Sequence, residues 1–315
     1  MLLSLIVPCY NEESMLPLFY KELCGVLAGL NGYTAEVLFV NDGSSDGTLR
    51  VVKNLAAQDS RVKYLSFSRN FGKEGAMYAG LQNARGDIVG LLDCDLQDPP
   101  SLIPRMLEML QNGCDSVATR RVTRQGEPPI RSVFARLFYK LINKMADIKL
   151  VDGERDFRLM KRPVVDAILK MSEYNRFSKG IFHWVGFETQ WIEFENTQRA
   201  AGETKWSFFK LFNYAIEGIV SFTTAPLRLA TIVGVVSCAV SFIYALYIMI
   251  RTLVRGIDVP GYASLLCFIL FLGGLTLLCI GIVGEYLART YLEVKRRPIY
   301  IVKESNVNPS DGLPQ

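Results

Sequence analysis

Histidine is almost absent from this chain of 315 residues: His183 is the only one, and it stands beside Trp184. A lone histidine packed against an aromatic argues against histidine-based catalytic triads. Seven cysteines occur without paired spacing, and Cys238, Cys267 and Cys279 fall inside apolar stretches. That distribution fits a reduced compartment and neither a disulfide framework nor a zinc site. No glycine-rich dinucleotide loop follows the first apolar run, and no phosphate loop carries a lysine. A nicotinamide or flavin Rossmann domain and an ATPase are both disfavoured. No basic region opens the chain and no small residue precedes Cys9. Leu3 to Val7 therefore reads as a first β-strand and not as a secretory or lipoprotein signal.

Charge is missing from two long stretches near the other end, Leu229 to Ile250 and Val259 to Gly284. Each exceeds the roughly 20 residues that a membrane-spanning helix requires. Two spans are expected, 227–254 and 262–285, joined by an external loop at 255–261 and followed by a tail at 286–315. Arg228 precedes the first span, and Arg289, Lys295, Arg296 and Arg297 follow the second. This basic excess on the outer flanks places both termini in the cytoplasm, against the opposing weight of Arg251 and Arg255. The tail from Ser305 to Gln315 is poor in apolar residues and is expected to be disordered.

What remains, residues 1–205, alternates strand with helix. Apolar runs predict strands at Leu3 to Val7, Glu36 to Val40, Val62 to Phe67 and Asp87 to Leu92. Helical spacing predicts helices over Glu12 to Leu30, Thr48 to Gln58 and Glu74 to Arg85. Such alternation implies an α/β domain with a mostly parallel, three-layer sheet. Ligands of these sheets collect at the carboxyl ends of the strands.

Acidic and polar clusters stand at those ends: Asn11-Glu12-Glu13 after the first strand, Asn41-Asp42-Gly43-Ser44-Ser45-Asp46 after the second, and Asp93-Cys94-Asp95 after the fourth. Asp93 and Asp95, with a third acid at Asp98, make a hard oxygen site suited to a divalent metal on a diphosphate. The alternative is turn chemistry, since Asp98-Pro99-Pro100 stops the strand and Ser44 to Asp46 can cap the following helix.

Four motifs stand out: Val7-Pro8-Cys9-Tyr10-Asn11-Glu12-Glu13, Val40-Asn41-Asp42-Gly43-Ser44-Ser45-Asp46-Gly47-Thr48, Asn70-Phe71-Gly72-Lys73-Glu74-Gly75-Ala76 and Leu92-Asp93-Cys94-Asp95-Leu96-Gln97-Asp98. By these motifs the chain resembles the family 2 glycosyltransferases of GT-A, Rossmann-like fold over essentially its whole length. Arg155-Asp156-Phe157-Arg158 and Gly202-Glu203-Thr204-Lys205-Trp206-Ser207, with the two apolar stretches, narrow it to polyprenyl-phosphate glycosyltransferases. These resemble bactoprenol glucosyltransferases, and dolichol-phosphate mannose synthases are close relatives. The resemblance implies a UDP-sugar donor, undecaprenyl phosphate as acceptor, Mg²⁺ or Mn²⁺ as cofactor, inversion at the anomeric carbon and the inner membrane of a bacterium. It puts Pro8, Tyr10, Asn11, Glu12, Asp42, Lys73, Asp93 and Gln97 around the nucleotide-sugar. Asp93 and Asp95 become the metal acids, Asp95 ahead of Asp93 as direct ligand, and Asp156 a catalytic residue near the sugar that orients the attacking phosphate or a sugar hydroxyl or serves as a weak base. Cys94, where the family has alanine or glycine, is expected to point away from both acids.

A lipid phosphate is already anionic near neutral pH, so charge management outweighs base catalysis. Arg131, Arg199 and Lys205 are the residues expected to hold that phosphate, with guanidinium forks and a mobile ammonium. Aromatic-rich segments at 206–226 and Ser132 to Ala146 are expected to lie in the membrane interface, or else, for the latter equally, to pack on the sheet. Glycines at 273, 274, 281 and 284 offer faces for a dimer or tetramer. No nucleic-acid partner is expected. Spacing does not separate glucose from an N-acetylhexosamine. The rival of a different class is a non-catalytic membrane scaffold or transporter subunit with a degenerate domain.

Overall fold

The computed structural model describes residues 1–121, 143, 151–194, 220, 223–255 and 261–307. Four parallel strands form its centre, β1 (Leu2–Cys9), β2 (Thr34–Asn41), β3 (Val62–Phe67) and β4 (Ile88–Leu91). Between them run α1 (Leu16–Ala28), α2 (Thr48–Gln58) and α3 (Lys73–Asn83), close to the helices that spacing predicts. The sheet is covered on both faces, which is why its strands read as near-continuous apolar runs. Leu3, Leu5 and Val7 pack toward α1, α2 and α4 (Ile103–Gln111), while Ile6 turns to the face covered by α3. Gly80 permits that contact, because a Cβ there would meet Ile6 Cγ2 at 2.1 Å.

Further strands extend this parallel centre on both sides into an eight-stranded sheet of order β7-β5-β6-β4-β1-β2-β3-β8. On one side are β5 (Ser116–Arg121), β6 (Glu154–Lys161) and β7 (Thr189–Phe194), accompanied by α5 (Arg162–Leu169) and α6 (Ser178–Trp184). β6 runs antiparallel to β4, with Arg158 opposite Leu91. Reversal brings the first residues of β6 to the edge where β1, β2 and β4 end.

Two long helices follow, α7 (Ala225–Arg255) and α8 (Tyr262–Val294). Their stretches Ala225–Arg251 and Phe271–Val294 are long and apolar enough to cross a membrane, and neither is buried against the rest of the chain. So much bare apolar surface calls for lipid around it. The expected interfacial segments at 132–146 and 206–226 lie, apart from residues 143, 220 and 223–226, outside the described residues, as do residues 256–260 and 308–315.

The expectation of disorder over Ser305 to Gln315 is corrected at its first residues, Ser305 to Val307; 308–315 lie outside the described residues. After α8 the chain returns to the sheet as β8 (Val302–Ser305), antiparallel to β3. Edge β3 presents unpaired backbone groups, and the tail satisfies them. Tyr64 N donates to the Asn306 side chain at 2.6 Å, and the Asn306 amide donates to Val62 O at 3.2 Å. Tyr300 stacks on Phe67 with ring centroids 5.0 Å apart, and its hydroxyl donates to Gln82 at 2.8 Å. Tyr300→Ala is expected to cost about 3 kcal/mol by loss of the ring and its partner. Thermal unfolding in detergent checks this, and an unchanged midpoint would show that the tail adds nothing to the domain.

Candidate active site

The loops after β1, β2 and β3 are laced together by their own polar side chains. Asn11 sits in the left-handed region with φ of 56°, a conformation that asparagine tolerates. Its N–H donates to Ser44 Oγ at 3.0 Å, and its side-chain oxygen accepts from Ser45 N at 2.9 Å. Glu12 N donates to Thr48 Oγ1 at 2.8 Å. Asp42 is buried and accepts from Phe71 N at 2.6 Å and Gly72 N at 3.0 Å. Burial pushes its carboxyl up, with those two amides and Arg69 pulling the other way. Gly43, at φ of 62°, lets this loop touch the next: a Cβ there would lie 2.4 Å from the Arg69 carbonyl carbon. Asn11, Glu12 and Asp42 thus brace the rim, while Tyr10 stands exposed on it and the Pro8 carbonyl accepts from Cys94 Sγ at 3.9 Å.

Lys73 opens α3 and joins two acids from different strands. Its Nζ lies 2.7 Å from Asp93 Oδ1 and 2.5 Å from Asp156 Oδ2. Asp93 follows β4, and Asp156 reaches it because β6 is antiparallel to β4. Burial alone would raise the Asp156 carboxyl. The ammonium of Lys73, then that of Lys179, holds it well below the usual carboxylate range. Burial would likewise lower Lys73, and Asp156 and Asp93 together keep it above an ordinary lysine. Lys73 and Asp156 are therefore ionised together at neutral pH.

Asp95 accepts from Gln97 N at 3.1 Å. Between them Leu96 takes φ of 57°, a strained conformation for a branched apolar residue. Cys94 is buried, but in a turn beyond the end of β4 at Leu91, where strand alternation does not apply; burial followed by nearby Cys9 and carboxylates pushes its thiol well above its ordinary value. A third metal acid at Asp98 is not supported. Asp98 is fully buried, and Arg155 Nε donates to it at 2.9 Å. Burial pushes its pKa up to about 6 in spite of the arginine. Arg155 Nη2 also donates to the Gln97 side-chain oxygen at 3.3 Å.

No group of three or more histidine, cysteine or acidic residues placed to hold a metal occurs among the described residues. The pair Asp93 and Asp95 nevertheless fits Mg²⁺ or Mn²⁺. Mg²⁺ usually takes one or two carboxylates and fills its remaining positions with substrate phosphate oxygens and water. Arg131, Arg199 and Lys205 lie outside the described residues.

Sequence reasoning missed the groups behind Asp156. Glu154 is buried; Arg158 Nη2 donates to it at 2.5 Å, Lys179 Nζ donates to its carbonyl at 2.9 Å, and His183 Nε2 lies 2.8 Å from its Oε2. His183 is packed, as expected, but its stacking partner is Trp191 at 5.9 Å. Trp184 is exposed. Burial would raise Glu154, and His183 and Arg158 hold it below its ordinary value.

Glu74, next to Lys73, accepts from the backbone N–H and the hydroxyl of Ser178. Burial, helped by Asp156, pushes its pKa from 4.5 up to about 7. A carboxyl raised in the folded state favours folding while protonated. Its contribution is full below about pH 4.5 and is lost as pH rises through about 7. Wild type is therefore expected to lose several degrees of thermal midpoint between about pH 5 and about pH 8 relative to Glu74→Gln. Parallel midpoint curves would contradict this assignment.

Comparison with known proteins matches residues 4–169 to glycosyl transferase family 2 and residues 225–290 to the GtrB C-terminal hairpin. The prophage bactoprenol glucosyl transferase homolog of Escherichia coli strain K12 is 46% identical, covering 96% of this chain and 99% of that one. The bactoprenol glucosyl transferase of Shigella phage SfII is 46% identical, covering 97% and 99%. Among solved structures, a mannosyltransferase from Pyrobaculum calidifontis in complex with GDP-Man and Mn²⁺ aligns with TM-score 0.45 and 16% identity, over 90% of this chain and 86% of that one. Nothing about the site rests on that last likeness.

Proposed function

The chain belongs to glycosyl transferase family 2, and from that membership we propose that it moves a hexose, glucose first, from a UDP-sugar to undecaprenyl phosphate at the cytoplasmic face of a bacterial membrane. The observation carrying this reading is the Lys73 bridge between Asp93 and Asp156 at the edge where the parallel strands end, in a chain that also carries two unburied apolar helices. Relatives named for bactoprenol support the lipid acceptor.

In the proposed reaction an oxygen of the lipid phosphate attacks the anomeric carbon, a new C–O bond forms, and the bond to the diphosphate breaks with its electron pair leaving on UDP. No proton needs removal from an acceptor already ionised, so the protein's task is orientation and charge. Asp93 and Asp95 would hold Mg²⁺ or Mn²⁺, which supplies charge neutralisation for the leaving diphosphate. Lys73 adds a fixed positive charge beside Asp93 and keeps Asp156 ionised, and Asp156 orients the attacking phosphate or a sugar hydroxyl. Pro8, Tyr10, Asn11, Glu12, Asp42 and Gln97 are assigned to the nucleotide side. The acceptor phosphate is assigned to Arg131, Arg199 and Lys205. Both termini are assigned to the cytoplasm, since basic residues flank the hairpin on its outer sides.

The test is incubation of membranes containing the protein with undecaprenyl phosphate, Mg²⁺ and a panel of UDP-sugars, with the lipids weighed by mass spectrometry. One hexose on one lipid phosphate, formed from UDP-glucose, is the expected product. Folded protein giving no glycolipid with any UDP-sugar would overturn the reading.

A further inference from the structure

A cavity of about 370 Å³ lies behind the active-site rim, enclosed by the start of α3, the segment 174–177 and the last turns of α8. Three guanidinium-bearing residues, Arg69, Arg176 and Arg289, line it, against the single acid Glu74. Such an excess of positive charge around a cavity stabilises an anion far better than empty space or neutral solute.

Arg176 is the most telling of the three. Its side chain is only 2% exposed, and its Nε is buried with no hydrogen-bond partner among the described residues. Nη1 donates to the Met171 carbonyl, the exposed Glu173 is 3.9 Å away, and the guanidinium carbon lies 4.3 Å from the centre of the Tyr78 ring. Glu74 across the cavity and Glu173 at its edge act on this cation, yet with its Nε unpartnered among the described residues it is incompletely compensated. Arg69 rests 4.3 Å from the centre of the Phe71 ring, and Arg289 lies 3.5 Å from Glu285. All three line the one cavity, and a guanidinium can hold phosphate oxygens in pairs.

Position narrows the source of that phosphate. Arg289 belongs to α8 beyond Gly284, where its charge-free run ends, and Glu293 on the next turn accepts from Tyr174 N at 2.8 Å, fastening 174–177 to the helix. The cavity therefore opens where the hairpin leaves its apolar stretch, at the depth of lipid headgroups. We propose that this cavity binds the phosphate of an anionic membrane phospholipid, with Arg69, Arg176 and Arg289 as its holders, and so seats the catalytic domain against the leaflet. The site is separate from the glycosyl-transfer reading and does not depend on it.

Its test is lipid retention by the full-length protein purified from nanodiscs of equal phosphatidylglycerol and phosphatidylcholine. Retained lipid is measured by mass spectrometry for wild type, Arg289→Gln and Asn175→Asp, each first shown to unfold at the wild-type temperature. Asn175 lines the cavity, and an acid there would repel the anion without removing an arginine. Wild type is expected to keep phosphatidylglycerol over phosphatidylcholine, and both variants to lose about tenfold of that preference. Equal retention by all three proteins would overturn the proposal. So would binding of inorganic phosphate in the same wild-type protein with no lipid preference, since the cavity would then serve a soluble anion.

Discussion

Asp95→Asn is expected to lower the turnover of glycosyl transfer by about 10³-fold, close to 4 kcal/mol of transition-state stabilisation, while the protein unfolds at the wild-type temperature. The substitution keeps the side chain's shape, and an amide oxygen can still accept from Gln97 N as the carboxylate does at 3.1 Å. What disappears is the charge. In the proposed site that charge is half of the Asp93 and Asp95 pair, because Asp98 is engaged by Arg155 in the interior. The loss should accordingly appear as a weakened response to Mg²⁺ at fixed UDP-glucose as well as a lower maximal rate. Steady-state rates in a Mg²⁺ titration separate the two. A variant within threefold of wild type at every Mg²⁺ concentration would remove Asp95 from the metal site.

The part of this fold that a reader of the sequence can derive ends near Leu92. Up to there each strand is an apolar run and each helix is local, so hydrophobic spacing and glycine punctuation carry the information. Beyond it, β6 defeats the same reasoning: Glu154, Arg155, Asp156 and Arg158 put charges along a strand whose buried members are compensated by one another and by His183. A buried ion network carries no period-two signal, so the segment is visible only as a motif. β8 is invisible for a different reason. Its pairing joins Leu65 to Ser305 across the whole hairpin, and a polar tail gives no sign of the strand edge awaiting it. Within the site, Asp93, Lys73 and Asp156 are legible one by one. Their meeting depends on the antiparallel entry of β6, which no local pattern reports. Asp98 shows the converse failure, an acid with metal-like spacing that folding commits to an arginine.

The same geometry supports a particular role for Asp156 in the proposed reaction. A general base works best with a pKa near the operating pH, and Lys73 and Lys179 hold this carboxyl far below it. A proton placed there would return at once, and the proposed acceptor brings none to remove. The role we propose for it is electrostatic: an oriented negative charge that Lys73 fixes 2.5 Å away. Asp156→Asn is therefore expected to reduce turnover by about 10²-fold, through lost orientation and a Lys73 left with Asp93 as its one acidic partner. Two readouts distinguish this from base catalysis. The ratio of wild-type to variant turnover should stay constant between about pH 6 and about pH 9, because no ionisation of Asp156 falls in that window. A ratio that climbs with pH through neutrality would mean that Asp156 titrates during turnover, and that the bound substrates overcome the hold of Lys73. Turnover close to wild type would end its place in the chemistry altogether.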